Sequence, residues 1–219
     1  FEQKILSAKE KVDELEHVIF RQLCDALKSQ TPQMRVLSET ISWIDIYIDF
    51  AYVAKQYGYV KPEISEDGST IFEVLEGRHP VVERFVPEFV PNDIFMDKSL
   101  RMFILTGPNM SGKSTYIRQV GLIALMAQIG SFVPARRARL PIFDRIFTRM
   151  GARDDISTGK STFLTEMNEV ALILSKATER SLVLLDEVGR GTSTFDGISI
   201  AWAMSEYIYN ELRCKTIFA

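Results

Sequence analysis

The residues with the plainest chemical meaning are Gly107-Pro108-Asn109-Met110-Ser111-Gly112-Lys113-Ser114, which fit the pattern G-x-x-x-x-G-K-[ST]. Successive backbone N–H groups close around an anion only where no Cβ obstructs them, which is what Gly107 and Gly112 provide. A helix opening near Lys113 turns its positive dipole end toward the same anion. Lys113 is then expected to reach the β- and γ-phosphates of a nucleotide, and the Ser114 hydroxyl to ligate Mg2+. The competing reading, a glycine-rich turn carrying a surface lysine, does not require a buried strand before the loop and a helix after it. Both are expected here.

A second site candidate lies about 70 residues on, a separation that suits a later strand of the same sheet. Ser181-Leu182-Val183-Leu184-Leu185-Asp186-Glu187 is an apolar run closed by two carboxylates. A strand in the middle of a parallel sheet delivers its C-terminal residue to the ligand crevice. Asp186 is expected beside the Mg2+ shell and Glu187 where it orients or deprotonates an attacking water. The doubled acid points to hydrolysis rather than binding alone, whereas an isolated Asp-Glu pair would be a solvated turn.

These groups need a frame. Strand candidates fall at 70–75, 102–106, 142–149, 181–186 and from 216, and helical patterns at 113–129, 162–177 and 197–213. Runs such as Met102-Phe103-Ile104-Leu105 read as strands buried on both faces, and their alternation with helices implies an α/β domain with a mainly parallel central sheet. Before it, residues 3–28 and 33–57 carry apolar stripes at helical spacing, Ile5, Ala8, Val12, Leu15 and Ile19, then Leu37, Ile41, Ile44, Ile48 and Ala51. Thr31-Pro32 reads as an N-cap with proline at the first helical position, and Gly58 as a C-terminal stop. An antiparallel two-helix arm over 1–60, with Phe20, Trp43, Tyr47, Phe50 and Tyr52 as packing residues, therefore precedes an α/β domain over 61–219. Residues 61–69 read as an exposed linker.

Composition narrows the classes. With 46% hydrophobic and 25% charged residues, the 219-residue chain has an ordinary globular balance. No apolar run is long enough for a membrane span, and the charges from Lys4 to Glu16 argue against a secretory leader. Cys24 and Cys214 are far apart and read as reduced, buried thiols; with only His17 and His79 beside them, a zinc or di-iron site is not expected. A net charge of −3 argues against coating nucleic acid over the whole surface. The cluster Arg136, Arg137, Arg139, Arg145, Arg149 and Arg153 reads as a solvated face, or as contacts within a longer protein, before a DNA site. Phe1, inside a helical pattern, and the strand beginning at Thr216 suggest a segment of a longer protein, truncated at its C-terminus.

Residues 105–135, LTGPNMSGKSTYIRQVGLIALMAQIGSFVPA, closely resemble the corresponding region of MutS proteins. So does the stretch from Asp186 through Glu187-Val188-Gly189-Arg190-Gly191-Thr192-Ser193 to Gly197, while Gly159-Lys160-Ser161-Thr162-Phe163-Leu164-Thr165-Glu166-Met167 resembles the family's signature loop and Gly77-Arg78-His79-Pro80-Val81 its entry to the ATPase domain. The resemblance, of bacterial type, implies a P-loop ATPase of the ABC type that binds ATP or ADP with Mg2+. It implies a homodimer formed head to tail through this domain, with Ser161 reaching the γ-phosphate of the partner's nucleotide. From the residues alone, Ser161 is a helix N-cap and no more. The resemblance also places Phe89 against the adenine and Asn109 on the nucleotide, so the expected contacts are Phe89, Gly107, Pro108, Asn109, Met110, Ser111, Gly112, Lys113, Ser114 and Thr115. The arm corresponds to the end of a lever leading to a DNA clamp. Mismatched DNA would be held by domains outside this sequence, with a MutL-type repair partner and a cytoplasmic, nucleoid-associated location. A family histidine follows the last strand; neither His17 nor His79 replaces it, so weak hydrolysis is expected of this segment alone. A recombination relative, the motor of a transporter, and a nucleotide-binding docking surface are the alternatives. The Gly-Lys-Ser-Thr-Phe stretch, in place of a Leu-Ser-Gly-Gly-Gln type, counts against the transporter.

Overall fold

The computed structural model describes residues 2–65, 70–151 and 162–219, with the side chains of 2–7, 10 and 162 left out. The chain divides into two units, Phe1–Tyr52 and Val53–Ala219.

The first unit is helix. Helix α1 runs unbroken over Glu2–Tyr57, with Pro32 inside it, so the expected antiparallel pair of helices is not formed. Proline removes one backbone donor, which costs a helix interior on the order of 3 kcal/mol. Its φ is nonetheless helical, and the neighbouring hydroxyls stay with the helix. Thr31 Oγ1 donates to Leu27 O at 3.1 Å and Ser29 Oγ to Ala26 O at 2.7 Å, so Thr31 is an interior residue rather than a cap. One straight helix cannot fold its stripe against itself. Leu15, Ile19, Ile41, Ile44 and Ile48 are therefore exposed, as are the aromatics Phe20, Trp43, Tyr47 and Tyr52 that were expected to pack. Trp43 and Tyr47 stack only on each other, one helical turn apart, at 5.9 Å.

The second unit holds two sheets. Strands β4 (Met102–Ile104), β6 (Ile146–Arg149), β7 (Leu182–Leu185) and β8 (Lys215–Phe218) form an all-parallel sheet in the order β4-β8-β7-β6. Strands β1 (Glu63–Ser65), β2 (Phe72–Gly77), β3 (Asn92–Met96) and β5 (Arg137–Pro141) form a mixed sheet in the order β1-β5-β2-β3, parallel only between β1 and β5. The expectation of one mainly parallel sheet thus holds for half the strands. Strands β1, β3 and β5 lie in stretches where no strand was expected, β1 inside the supposed linker. Among the described residues, no helix is long and apolar enough to cross a membrane.

Helix α2 (Lys113–Gln128) shares one core with both sheets. Its Ile117, Val120, Ile123, Ala124 and Ala127 join Phe72, Val74, Ile94 and Met96 of the mixed sheet and Leu182, Leu184 and Ile217 of the parallel one. Strand β7 alternates faces, as a strand must. Its Val183 and Leu185 turn the other way, into a second cluster with Val170 and Ile173 of α3 (Thr162–Lys176), Met204 of α4 (Thr194–Tyr207), and Ile208 and Cys214. All of β7 is buried, so the strand that carries the acid pair is held on both faces. Leu184→Ala, at a fully buried site, should destabilise the fold by about 2–5 kcal/mol in urea denaturation. A loss below about 1 kcal/mol would mean that this core is loosely packed.

Candidate nucleotide site

Strand β4 passes through Leu105, whose N–H donates to Phe218 O at 2.7 Å, into the loop 106–112, and α2 begins at once after it. Gly112 ends the loop at φ 94°, a left-handed conformation that a Cβ would strain, and this turn aims the first N–H groups of α2 into the loop. Lys113 folds back across the loop: Nζ donates to Gly107 O at 2.8 Å and Pro108 O at 3.0 Å. These are surface-exposed contacts that the oxygens of an anion can replace.

The loop forms one wall of a cavity of about 760 Å3. Of the expected contacts, Phe89, Gly107, Pro108, Ser111, Gly112, Lys113 and Thr115 line it, whereas Asn109, Met110 and Ser114 do not. Met110 is fully exposed at the loop tip, with φ 65°. Phe89 is half-buried and belongs to neither apolar cluster, so here it is a cavity wall rather than a core residue. The facing wall is the start of β3, Asn92 and Asp93. Tyr116 of α2 donates to Asp93 O at 2.9 Å and binds the two walls together. Burial, then the Asp93 charge, pushes its phenol up to about 12, so it stays a donor at any physiological pH.

At the end of β7, the Asp186 N–H donates to Arg149 O at 2.7 Å and the side chain is buried. Its Oδ1 has no hydrogen-bond partner among the described residues. A buried carboxylate oxygen left bare is costly unless a cation or water completes it. Glu187 follows at φ 55°, its N–H donating to Ala219 O at 2.9 Å and its carboxylate paired with Arg190. Its side chain is more exposed than that of Asp186.

The family described as MutS domain V matches residues 103–219, a span that begins in β4 and takes in both the loop and the acid pair. The chain belongs to the MutS family. It is 78% identical over its whole length to the DNA mismatch repair protein MutS of Fervidobacterium nodosum. It is 65% identical to the protein of that name from Thermosipho melanesiensis and 60% to that from Thermotoga maritima. It spans about a quarter of the length of these relatives, 26% of the first.

In this MutS chain, the bare Oδ1 of Asp186 is an oxygen that a cation or water would complete, and Ser114, in the first turn of α2, carries the hydroxyl that the sequence assigns to Mg2+. Among the described residues, no cluster of three acidic, histidine or cysteine side chains offers an all-protein metal cage. Ser161 lies outside the described residues, as does Arg153. Asp93, Tyr116 and Gln119 are site residues that sequence reasoning missed. Gly112, Tyr116 and Gln119 recur at helical spacing behind the loop, a signal that was available.

The basic cluster does not form one face. Arg136 pairs with Glu76 at 3.3 Å and Arg137 with Glu63 at 3.5 Å, both in solvent. Arg149, read as solvated, is instead buried with Glu166 at 3.7 Å and Glu169 at 3.1 Å, because β6 carries it into the second core. The Gly77-Arg78-His79-Pro80-Val81 stretch fastens the last turn of α1. Arg78 pairs with Glu83 at 2.7 Å and donates to Tyr57 O at 3.0 Å, while Arg84 lies over the Tyr57 ring at 4.2 Å. His79 is buried and accepts the Val81 and Val82 N–H groups on Nδ1, and burial holds its pKa below the ordinary value, so it is a structural, neutral imidazole.

Proposed function

We propose that this chain is the ATPase module of a DNA mismatch-repair protein, a P-loop domain of the ABC type whose nucleotide state controls a clamp on mismatched DNA. Two observations carry the reading: a cavity walled by Phe89 and the Gly107–Gly112 loop, and a buried strand, β7, followed at once by Asp186 and Glu187, which lie outside that cavity's lining. Lys113 exchanges the loop carbonyls for the β- and γ-phosphates, and the N–H groups at the start of α2 close around them. Ser114 and Asp186 would hold Mg2+, which neutralises charge on the phosphates. Glu187 takes a proton from the attacking water, and Phe89 stacks on the base. Asn109 and Met110, outside the cavity wall here, would close on the nucleotide by a movement of the loop tip, while Ser114 stays in the first turn of α2.

The similarity to DNA mismatch repair proteins supports the repair role, and the resemblance of residues 159–167 to the family's signature loop supports a nucleotide-bridged homodimer with Ser161 on the partner's γ-phosphate. Docking of a MutL-type partner and a cytoplasmic, nucleoid-associated location belong to the same reading. Calorimetric titration with ATP and ADP, each with Mg2+, together with light scattering, tests it. Both nucleotides should bind, and the mass should double with ATP only. Binding without a mass change would sink the shared-nucleotide dimer, and no binding to a folded sample would sink the whole reading.

A further inference from the structure

Glu187 sits in a turn that needs holding. Its own backbone is left-handed at φ 55°, and Gly189 follows at φ 85°. A non-glycine residue in this region is strained by about 1 kcal/mol or more, and such strain persists only where the surroundings fix it. One support comes from α4: Gly189 and Gly197 of that helix approach so closely that a Cβ on Gly189 would stand 2.8 Å from the Gly197 backbone. The other comes from a different element. The Gly189 N–H donates to Oε1 of Glu166, on α3, at 2.5 Å.

Glu166 is buried, and its second oxygen faces Arg149 of β6, itself buried, at 3.7 Å. Arg149 in turn adjoins the acid pair through the main chain, where its carbonyl accepts the Asp186 N–H. Gly191 lies against Phe163 in the first turn of α3, where a Cβ would fall 3.1 Å from the Phe163 Cβ, a tight contact. The turn after Glu187 is thus gripped at Gly189 and Gly191 by one helix. A buried ion pair is seldom retained for stability alone, since apolar replacement commonly does as well.

We infer that Glu166 is a positioning residue for ATP hydrolysis: it accepts the Gly189 N–H and so fixes the turn that holds the Glu187 carboxylate in place, with Arg149 offsetting the cost of burying it. This rests on the ATPase reading above, and it adds a role for a residue that is buried and lies outside the cavity lining.

The test is a double-mutant cycle on the full-length protein, with steady-state ATP turnover and ADP affinity as readouts. Glu166→Ala should lower kcat about 10- to 100-fold, the effect of misplacing a catalytic group by about 1 Å, with KM and ADP affinity within about 2-fold. In a Glu187→Gln background the same change should lower kcat no further, because there is no general base left to position. Glu166→Gln keeps an acceptor for Gly189 and should recover most of the rate, and it serves equally if the alanine variant does not fold. Unchanged kcat in Glu166→Ala, an equal loss in both backgrounds, or no recovery by glutamine would each overturn the inference. Turnover in the unaltered protein that Lys113→Ala leaves intact would overturn the ATPase reading instead, and this inference with it.

Discussion

Replacing Lys113 with alanine should abolish binding of both ATP and ADP. The ammonium now holds two loop carbonyls, at 2.8 and 3.0 Å, and in the proposed site it exchanges them for phosphate oxygens. Each charge-assisted hydrogen bond contributes about 1.5–3 kcal/mol, so losing two of them weakens affinity by about 100-fold or more. The substitution leaves the fold untouched, because the side chain stabilises only the exposed loop. Calorimetry with each nucleotide, next to a thermal melt of the apo protein, separates the two effects. An affinity unchanged from the parent would mean that the cavity is not a phosphate site, and that the glycine-rich loop is a turn with a surface lysine after all.

The second large effect belongs to the acid pair. Glu187→Gln should leave nucleotide binding within about 2-fold and slow turnover by about 100- to 10,000-fold, the usual contribution of a general base. Glutamine keeps the shape and a polar end, and it loses only the capacity to take a proton and the charge paired with Arg190. Single-turnover measurement of γ-phosphate release reads the chemical step directly. Turnover equal to the parent would assign proton abstraction elsewhere and leave Glu187 as the anchor of Arg190.

The elements that carry the proposed chemistry were legible in the sequence wherever they are built from contiguous residues. The loop 107–114 and the run 181–187 specify their conformations locally, by glycine at left-handed positions and by an unbroken apolar strand, and the structure has β4, α2 and β7 where those patterns put them. Parts assembled from distant segments were less readable. Strand β3 alternates the buried Ile94 and Met96 with the exposed Phe95, and β5 alternates Ala138 and Leu140 with arginines; each pattern is short, and each gains its meaning only from β2, which lies between them in the sheet. Arg149 looked like one more surface arginine because its partners, Glu166 and Glu169, lie on an element more than a dozen residues away. The arm failed for a different reason. Thr31-Pro32 satisfies the local rules for a helix start, but a proline inside a helix forfeits one hydrogen bond, and the hydroxyls of Ser29 and Thr31 turn back to their own helix.

The position of β8 has a consequence for how the domain comes into being. It is the last strand in the chain, yet it lies second in the sheet, with β4 on one side and β7 on the other. Among the described strands β4 pairs with no other, and its register runs Met102 to Thr216 across more than a hundred residues of chain. During synthesis the anion loop and the acid pair are both made well before they can share a sheet. Closing so long a loop late makes for slow folding, and leaves apolar edges of β4 and β7 bare meanwhile. The two halves of the proposed reaction centre are therefore united in a single late step, and a nascent chain carries no working site until that strand has emerged and inserted.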